Sequence, residues 1–153
     1  MAFAKDRSEA VSPMKFVPAS GWHVRTGRAH ACPGVPASRC SQVTSLASTI
    51  HWRDCVECLP HKTVAAMAPG DIGIQINVAR ERSPQAAPSW PPHVTRQKVV
   101  APFEGLPGRI GTFQGRARVG KREVSVFIVF GRARPTERQI RRANAELRRV
   151  RFG

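Results

Sequence analysis

Hydrophobic and polar residues alternate strictly in one stretch near the middle of the chain. Within residues 72–79, a large aliphatic residue occupies every second position, and small or polar residues lie between. Successive side chains of a β-strand point to opposite faces, so this period of two predicts a strand with one buried face. Residues 69–71 (Pro-Gly-Asp) predict a turn before it, and residues 60–68 predict a short helix before that turn.

The C-terminal part of the chain predicts a β-hairpin. Residues 108–119 alternate between apolar and polar side chains, with Phe113 and Ala117 on the apolar side. Gly120 supplies a residue that tolerates positive φ in the turn. Residues 123–130 are mostly apolar on both faces, which predicts an inner strand that is covered on both sides.

An arginine-rich amphipathic helix is predicted from Thr136 to Val150. Thr136 precedes Gln139 by three positions, which is the spacing of a capping box. Ile140, Ala143, Leu147 and Val150 recur at steps of three and four and form an apolar stripe. The arginines that lie mainly away from this stripe are Arg138, Arg141, Arg142, Arg148 and Arg149.

The other segments are shorter and less regular. Residues 16–24 predict two short strands joined by a turn, and residues 43–52 predict one more strand. Proline recurs through residues 82–102 and excludes helix and central strand there, so this segment is predicted as a semi-rigid connector. Residues 1–15 show no period and are predicted as a flexible tail, which leaves residues 16–153 as a single domain.

These elements predict an α+β fold, an antiparallel β-sheet flanked by a short helix and by the C-terminal amphipathic helix. The chain has 153 residues, 41% hydrophobic and 23% charged, an ordinary globular mixture. A domain of this size buries roughly two thirds of its unfolded surface, so one core is expected. No apolar run approaches the roughly 18 residues that a transmembrane helix needs.

Charge biases the choice of partner. The chain carries 25 Lys and Arg against 10 Asp and Glu, a formal net charge of +15. Such a positive field attracts acidic proteins, nucleic acids and other polyanions. Arg116 and Arg118 of the predicted hairpin join the helical arginines as candidate residues for binding a polyanion or partner. The alternative is that the arginines only solvate the outer face of a docked helix.

A cluster of cysteines and histidines is the main candidate for chemistry. It has the pattern H-x3-C-x2-C-x2-H, formed by His51, Cys55, Cys58 and His61. A C-x2-C pair can supply two thiolates to zinc, and the histidines would complete a tetrahedral set. Only half of a standard zinc pattern is present. No cofactor other than zinc at this cluster is predicted.

Disulfides are the second interpretation of the cysteines. One of three pairings joins Cys32 to Cys40 and Cys55 to Cys58, and such bonds suit an oxidising compartment. In an intracellular chain, unpaired reduced cysteines are the usual state. C-V-E-C also has the spacing of a redox motif, but it lacks the preceding buried strand of thioredoxin-like proteins.

No catalytic signature is present. The sequence contains no G-x-S-x-G, no H-E-x-x-H and no G-x-x-x-x-G-K-[ST] motif, and its acidic residues are scattered. A protein without enzymatic activity is therefore predicted. Aromatic residues make up only 7% and tyrosine is absent, which argues against a platform that stacks RNA bases.

Two short motifs carry a resemblance to known proteins. F-G-R-x-R-P-T spans residues 130–136. F-x-P-x-x-G-W-H is formed by Phe16, Pro18, Gly21, Trp22 and His23. With the order of predicted elements, the chain resembles the PsbP-like α/β/α sandwich and an uncharacterised family of high-GC actinobacterial proteins. The resemblance implies an antiparallel sheet flanked by helices, and it transfers no active site because that class is largely non-catalytic.

The localisation prediction depends on the start codon. Charged residues at positions 5, 6, 7 and 9 interrupt the apolar stretch that a signal peptide needs, which predicts a cytoplasmic protein as the sequence is written. The proteins it resembles are commonly exported, and a different start codon would make this chain extracytoplasmic.

Three functions follow from these observations. The first is a non-enzymatic interaction module with a basic surface for an acidic partner. The second is a nucleic-acid-binding protein that uses the arginine-rich C-terminal helix. The third is a small protein stabilised by zinc or a disulfide through Cys55 and Cys58.

Overall fold

The alternating segments of the chain form antiparallel β-structure. The computed structural model describes residues 14–29, 42–55, 58–79, 86–102, 105–120 and 122–153. In chain order the helices and strands are β1 (Met14–Phe16), β2 (His23–Ala29), β3 (Gln42–Ser48), α1 (His61–Ala66), β4 (Ile72–Val78), β5 (Gly111–Val119), β6 (Arg122–Phe130), α2 (Glu137–Leu147) and β7 (Val150–Phe152).

The main sheet has five antiparallel strands in the order β2-β3-β4-β6-β5. Its register places Ile74 of β4 beside Ile128 of β6, and Ile128 beside Phe113 of β5. The predicted strand at β4 and the predicted hairpin of β5 and β6 are therefore confirmed. Gly120 in the hairpin turn has a φ of 59°, which only glycine adopts without cost. The predicted α+β class with an antiparallel sheet is also confirmed.

The larger core lies between this sheet and α2. The predicted stripe of Ile140, Ala143, Leu147 and Val150 is buried against the aliphatic residues of β4 and β6. By leaving water, the three larger side chains, Ile140, Leu147 and Val150, contribute about 1.5–3 kcal/mol each. Trp22 is buried in the same cluster. The amphipathic pattern therefore correctly identified the face of α2 that docks on the sheet.

The beginning of α2 agrees with its sequence signal, but its end does not. The Thr136 hydroxyl accepts a hydrogen bond from the Gln139 amide, and the Gln139 side chain accepts one from the Thr136 amide. The predicted end at Val150 is wrong because the helix ends at Leu147. Val150 instead begins β7 and pairs with Phe16 of β1, so extended backbone replaces the last helical turn.

The N-terminal strands also differ in their pairing. The turn between β1 and β2 contains Gly21, with a φ of 86°, as the proline–glycine sequence predicts. The two strands do not pair with each other, because β1 pairs with β7 and β2 pairs with β3. Residues 1–13 of the predicted tail lie outside the described residues, whereas residues 14 and 15 belong to β1.

The described residues cover the opposite face of the sheet only partly. Val129 of β6 packs in a smaller cluster with Val64 and Met67 from the α1 region. Phe127 packs against this cluster but stays half-buried, and Ser125 is half-buried as well. The prediction that this strand is covered on both faces is therefore wrong along part of its length. Helix α1 spans only His61–Ala66, which is too short to cover the whole face.

The part of the proline-rich connector that the structure describes is held by contacts with α2 and with β7. The side chain of Asn144 on α2 accepts a hydrogen bond from the Val94 amide at 2.9 Å and donates one to the Val94 carbonyl at 2.9 Å. Trp90 packs edge-on against Phe152 with ring centroids 5.1 Å apart. Bridges from Ser89 to Arg118 and from Val100 to Thr112 show that the connector follows the edge strand β5. Residues 82–85 lie outside the described range.

Candidate functional site

Three of the predicted arginines are exposed on α2 or directly after it and make no ion pair among the described residues. Arg138 and Arg141 are exposed on the helix, and Arg148 is exposed directly after its last residue, still with helical backbone angles. We call these three residues the α2 surface. At 1.5 Å of rise per residue, the surface extends over about 15 Å. Among the residues described, none of the three has a carboxylate within ion-pair distance.

The other two predicted arginines, Arg142 and Arg149, each contact a neighbouring side chain. The guanidinium carbon of Arg142 lies 5.6 Å from the centroid of the Trp22 ring, a cation–π geometry. Nε of Arg149 lies 3.8 Å from the Glu146 carboxylate. These contacts restrain both side chains, so their charges border the α2 surface at defined positions.

A buried carboxylate lies beneath these cations. Glu146 is 2% exposed, and its Oε1 accepts a hydrogen bond of 3.3 Å from the backbone amide of Ala19. Burial raises the pKa of Glu146, and the Ala19 hydrogen bond together with Arg149 and Arg142 only partly offsets this effect. The ionised carboxylate therefore joins the N-terminal turn to α2 at a cost in stability.

Removing this charge is expected to change how stability depends on pH. The folded protein holds the Glu146 proton more tightly than the unfolded chain does. The stability that this group contributes therefore rises as the pH falls towards its ordinary pKa of 4.5, and it is lost as the pH rises through the higher folded pKa. We expect Glu146→Gln to increase the free energy of unfolding at pH 7, and we expect this gain to shrink as the pH falls through that window. Urea unfolding at a series of pH values measures it.

The matched control is Glu137→Gln, the same substitution at an exposed position of the same helix. Glu137 lies 3.5 Å from Arg96 at the surface, where ion pairs contribute little. A gain from Glu146→Gln that grows as the pH falls would contradict the predicted cause.

Arg116 and Arg118 lie on a different surface. The register of β5 places both on the sheet face opposite α2, away from Phe113 and Ala117. Nε of Arg116 donates a 2.7 Å hydrogen bond to the Glu123 carboxylate across the hairpin. The seven predicted arginines therefore divide between two faces of the sheet instead of forming one.

The structure brings the two described cysteines together as a disulfide. Cys55 and Cys58 are bonded through their sulfurs, with their Cα atoms 5.1 Å apart. His51 instead stacks against His23, with ring centroids 3.8 Å apart, and His61 begins α1. Within the described ranges, no three His, Cys, Asp or Glu side chains are arranged to hold a metal ion. Zinc at the four predicted ligands remains a prediction, and Cys32 and Cys40 lie outside the described residues.

Asp54 joins the segment before Cys55 to the first turn of α1, a role that the sequence pattern did not reveal. Pro60 at the start of α1 provides no side-chain cap. The Asp54 carboxylate instead accepts hydrogen bonds from the Lys62 amide at 3.0 Å, and from the Thr63 amide at 2.8 Å and hydroxyl at 2.6 Å. Burial raises the pKa of Asp54, but these hydrogen bonds and the charge of His61 together lower it below its ordinary value.

A groove crosses this face of the sheet beside Cys58 and Leu59. It has a volume of about 670 Å³. We call it the sheet groove, and its principal lining residues are Leu59, Gln75, Gln114, Arg116, Ser125 and Phe127. The sequence did carry a signal for it, because polar residues occupy the alternate positions of both β4 and β5. The nearly continuous apolar sequence of β6 concealed that signal by predicting a covered face.

Comparisons with known proteins do not assign the chain. No protein-family model matches it, and no curated protein or solved structure shows significant similarity to it. The resemblance to PsbP-like sandwiches and to actinobacterial proteins therefore stays a prediction. Neither described helix is long and apolar enough to cross a membrane.

Proposed function

We propose that this protein is a non-enzymatic binding module that engages an acidic partner, a protein or another polyanion, through the α2 surface. The observation that carries the proposal is that the arginines of this protein differ in whether a carboxylate lies near them. Arg116 and Arg149 have carboxylates within ion-pair distance, whereas Arg138, Arg141 and Arg148 have none among the described residues. Within the part of the chain that the structure describes, these three cations have no acidic counterpart, so a partner that supplies one gains the interaction.

The α2 surface costs stability when no partner is present. Arg138 lies three positions before Arg141 and four before Arg142, the spacings at which helical side chains are neighbours. Like charges at such spacings destabilise a helix by about 0.2–0.5 kcal/mol per pair. The buried stripe of α2 is complete without them, because Ile140 and Leu147 dock the helix. An acidic partner removes the repulsion and therefore binds with an additional gain.

The scaffold beneath the α2 surface is rigid. The capping box fixes the start of the helix, and the side chain of Gln139 donates a 2.9 Å hydrogen bond to the carbonyl of Pro69. Asn144 fixes its middle to the connector through two hydrogen bonds. Ordering the helix therefore adds nothing to the cost of binding, which favours affinity.

Nucleic acid is the second candidate partner, supported by the extension of the cationic surface beyond α2. Lys15 of β1 and Arg151 of β7 are cross-strand partners, and both are exposed. The Arg151 guanidinium donates a 2.7 Å hydrogen bond to the carbonyl of Arg148, which places it at the end of the helix. A continuous line of cations is the arrangement that a phosphate backbone requires.

Salt titration with two probes tests the proposal. We expect fluorescently labelled poly-glutamate to bind at roughly 50 mM salt and to be released at roughly 200 mM, because release of counterions drives such binding. Fluorescence anisotropy measures it, with a labelled DNA duplex of equal charge as the second probe. Tighter binding of the duplex would favour the nucleic-acid candidate, and binding of neither probe at low salt would contradict both.

A further inference from the structure

The disulfide between Cys55 and Cys58 lies at the surface of the protein. Both cysteines are exposed, so a thiol from outside can reach them. They are only three positions apart in sequence. A disulfide stabilises a fold mainly by closing a loop in the unfolded chain, and this effect grows with the length of the loop. The bond therefore contributes little to holding the fold together.

Hydrogen bonds hold the chain on both sides of the disulfide. The Asp54 carboxylate accepts hydrogen bonds from the amide and the hydroxyl of Thr63 in α1. The Arg53 amide donates a 2.8 Å hydrogen bond to the same hydroxyl. Between the two cysteines, the Cys58 amide donates to the Cys55 carbonyl at 3.1 Å. None of these bonds uses a sulfur atom, so reduction is expected to leave this part of the fold in place.

A cation is fixed beside Cys55. The Arg25 guanidinium donates a hydrogen bond to the backbone carbonyl of Asp54, the residue directly before Cys55. Arg53 adds a second exposed cation in the same segment. The Asp54 carboxylate is buried and bound to α1. Positive charge stabilises a cysteine thiolate, and a stabilised thiolate leaves faster when a disulfide is attacked. The arrangement therefore favours Cys55 as the sulfur that leaves.

Cys58 has an apolar neighbour that meets water. Leu59 follows it directly and is 46% exposed. Pro60, the next residue, is buried, so Leu59 is held at the surface by an anchored neighbour. An apolar side chain of a partner that covers Leu59 removes apolar surface from water. Such contact brings the adjacent residues of that partner to Cys58.

We propose that the disulfide of Cys55 and Cys58 oxidises a pair of thiols in a peptide segment whose apolar residues cover Leu59. The first thiolate of the peptide attacks Sγ of Cys58, a mixed disulfide forms, and Cys55 leaves as a thiolate. The second thiolate of the peptide attacks the peptide sulfur of the mixed disulfide, and Cys58 leaves as a thiolate. Two electrons thus pass to the protein, whose thiolates take up the two protons that the peptide thiols released. This activity goes beyond the binding function of the α2 surface and uses none of its residues.

Anaerobic oxidation of a reduced peptide tests the proposal. The probe is a short peptide with a pair of cysteines flanked by leucine, and glutathione is the second probe. Mass spectrometry measures the peptide that has become a disulfide, and alkylation identifies the protein cysteines that have been reduced. We expect the double variant Cys32→Ser with Cys40→Ser to oxidise the peptide. We expect the matched double variant Cys55→Ser with Cys58→Ser to lose this activity.

Leu59→Ala tests the contact with the peptide. We expect it to slow oxidation of the peptide at least about threefold, because apolar surface covered by the peptide is lost. We expect it to leave the reaction with glutathione unchanged. The matched control is Val100→Ala, since Val100 is 57% exposed and lies on the connector beside β5. The control is expected to change neither reaction.

Arg25→Gln tests the role of the cation. Glutamine still carries a donor for the Asp54 carbonyl, but it has no charge. We expect the reactions with both probes to slow by about threefold, because the Cys55 thiolate becomes a poorer leaving group. Labelling of Cys55 by iodoacetamide in the reduced protein is expected to slow as well, a readout that depends on the thiolate. Arg138→Gln on the α2 surface is the control and is expected to change none of these rates.

Urea unfolding of the Cys32→Ser with Cys40→Ser variant, oxidised and reduced, completes the test, and the two midpoints are expected to lie close together. A large loss of stability on reduction would overturn the proposal, because the bond would then be structural. The proposal is also overturned if this variant oxidises no peptide, or if the chain without Cys55 and Cys58 oxidises as much. Equal slowing by Leu59→Ala and Val100→Ala, or reaction with glutathione alone, would overturn the peptide as the partner.

Discussion

Replacing Arg138 and Arg141 together by glutamate is expected to weaken binding of an acidic probe by about a hundredfold at low salt. A hydrogen bond to a charged group contributes about 1.5–3 kcal/mol, and each 1.4 kcal/mol is a factor of ten. With duplex DNA as the probe, the slope of log affinity against log salt is expected to fall by about two. Fluorescence anisotropy at several salt concentrations measures both quantities.

The fold is expected to tolerate this double substitution. Both arginines are exposed, and glutamate near the N-terminus of α2 interacts favourably with the helix dipole. The substitution also removes the repulsion between these arginines, so the variant is expected to unfold at the same temperature as the parent protein or at a slightly higher one.

The matched control is the double variant Arg53→Glu with Lys62→Glu. It changes the net charge by the same amount, but on the opposite side of the sheet, where both residues are exposed. Equal loss of binding in the control would mean that the overall positive field attracts the probe and that the α2 surface has no specific role.

Gly131→Ala is expected to destabilise the protein by about 1–3 kcal/mol or more, because an additional methyl group has no space. A Cβ atom at Gly131 would overlap the carbonyl oxygen of Ala68 and lie 2.9 Å from its carbonyl carbon. These are backbone atoms of the turn before β4, so no side-chain rotation relieves the overlap. The Gly131 amide also donates a 2.9 Å hydrogen bond to the carbonyl of Asp71. The close approach positions the segment that leads into α2.

Urea unfolding compares this variant with Gly70→Ala and Gly108→Ala. Neither control position has an atom within 4 Å of the added methyl group. Alanine reduces the freedom of the unfolded chain, so both controls are expected to be neutral or slightly stabilising. Similar losses in all three variants would show that the contact with Ala68 does not determine the effect.

Local periodicity predicted two kinds of element: those with a strict pattern, and those whose neighbours in space are also close in sequence. The alternation around Ile74 identified β4, and the capping box at Thr136 identified the start of α2. The end of α2 was not predictable, because Val150 satisfies the helical stripe as well as the strand. Its pairing with Phe16 depends on residues from the other end of the chain, and no local pattern contains that information.

The candidate sites show the same limit. The sequence identified the arginines of α2, because a helical period places residues on one face without further information. It did not show that Arg116 lies on the other side of the sheet from Arg138, since this depends on where the helix docks. Phe127 was assigned to a covered face because its strand is apolar, whereas the short length of α1 leaves part of that face open.

The pairing of β1 with β7 has a consequence for biosynthesis. Met14 lies opposite Phe152. A residue near the beginning of the described chain therefore has no pairing partner until a residue near its end has been synthesised. Until then, β1 and the Trp22 region lack α2 and β7, which cover them in the finished protein. Contacts so distant in sequence slow folding because a long loop must close first. The nascent chain therefore exposes this apolar surface until α2 and β7 have left the ribosome, and the cationic helix is one of the segments that complete the core.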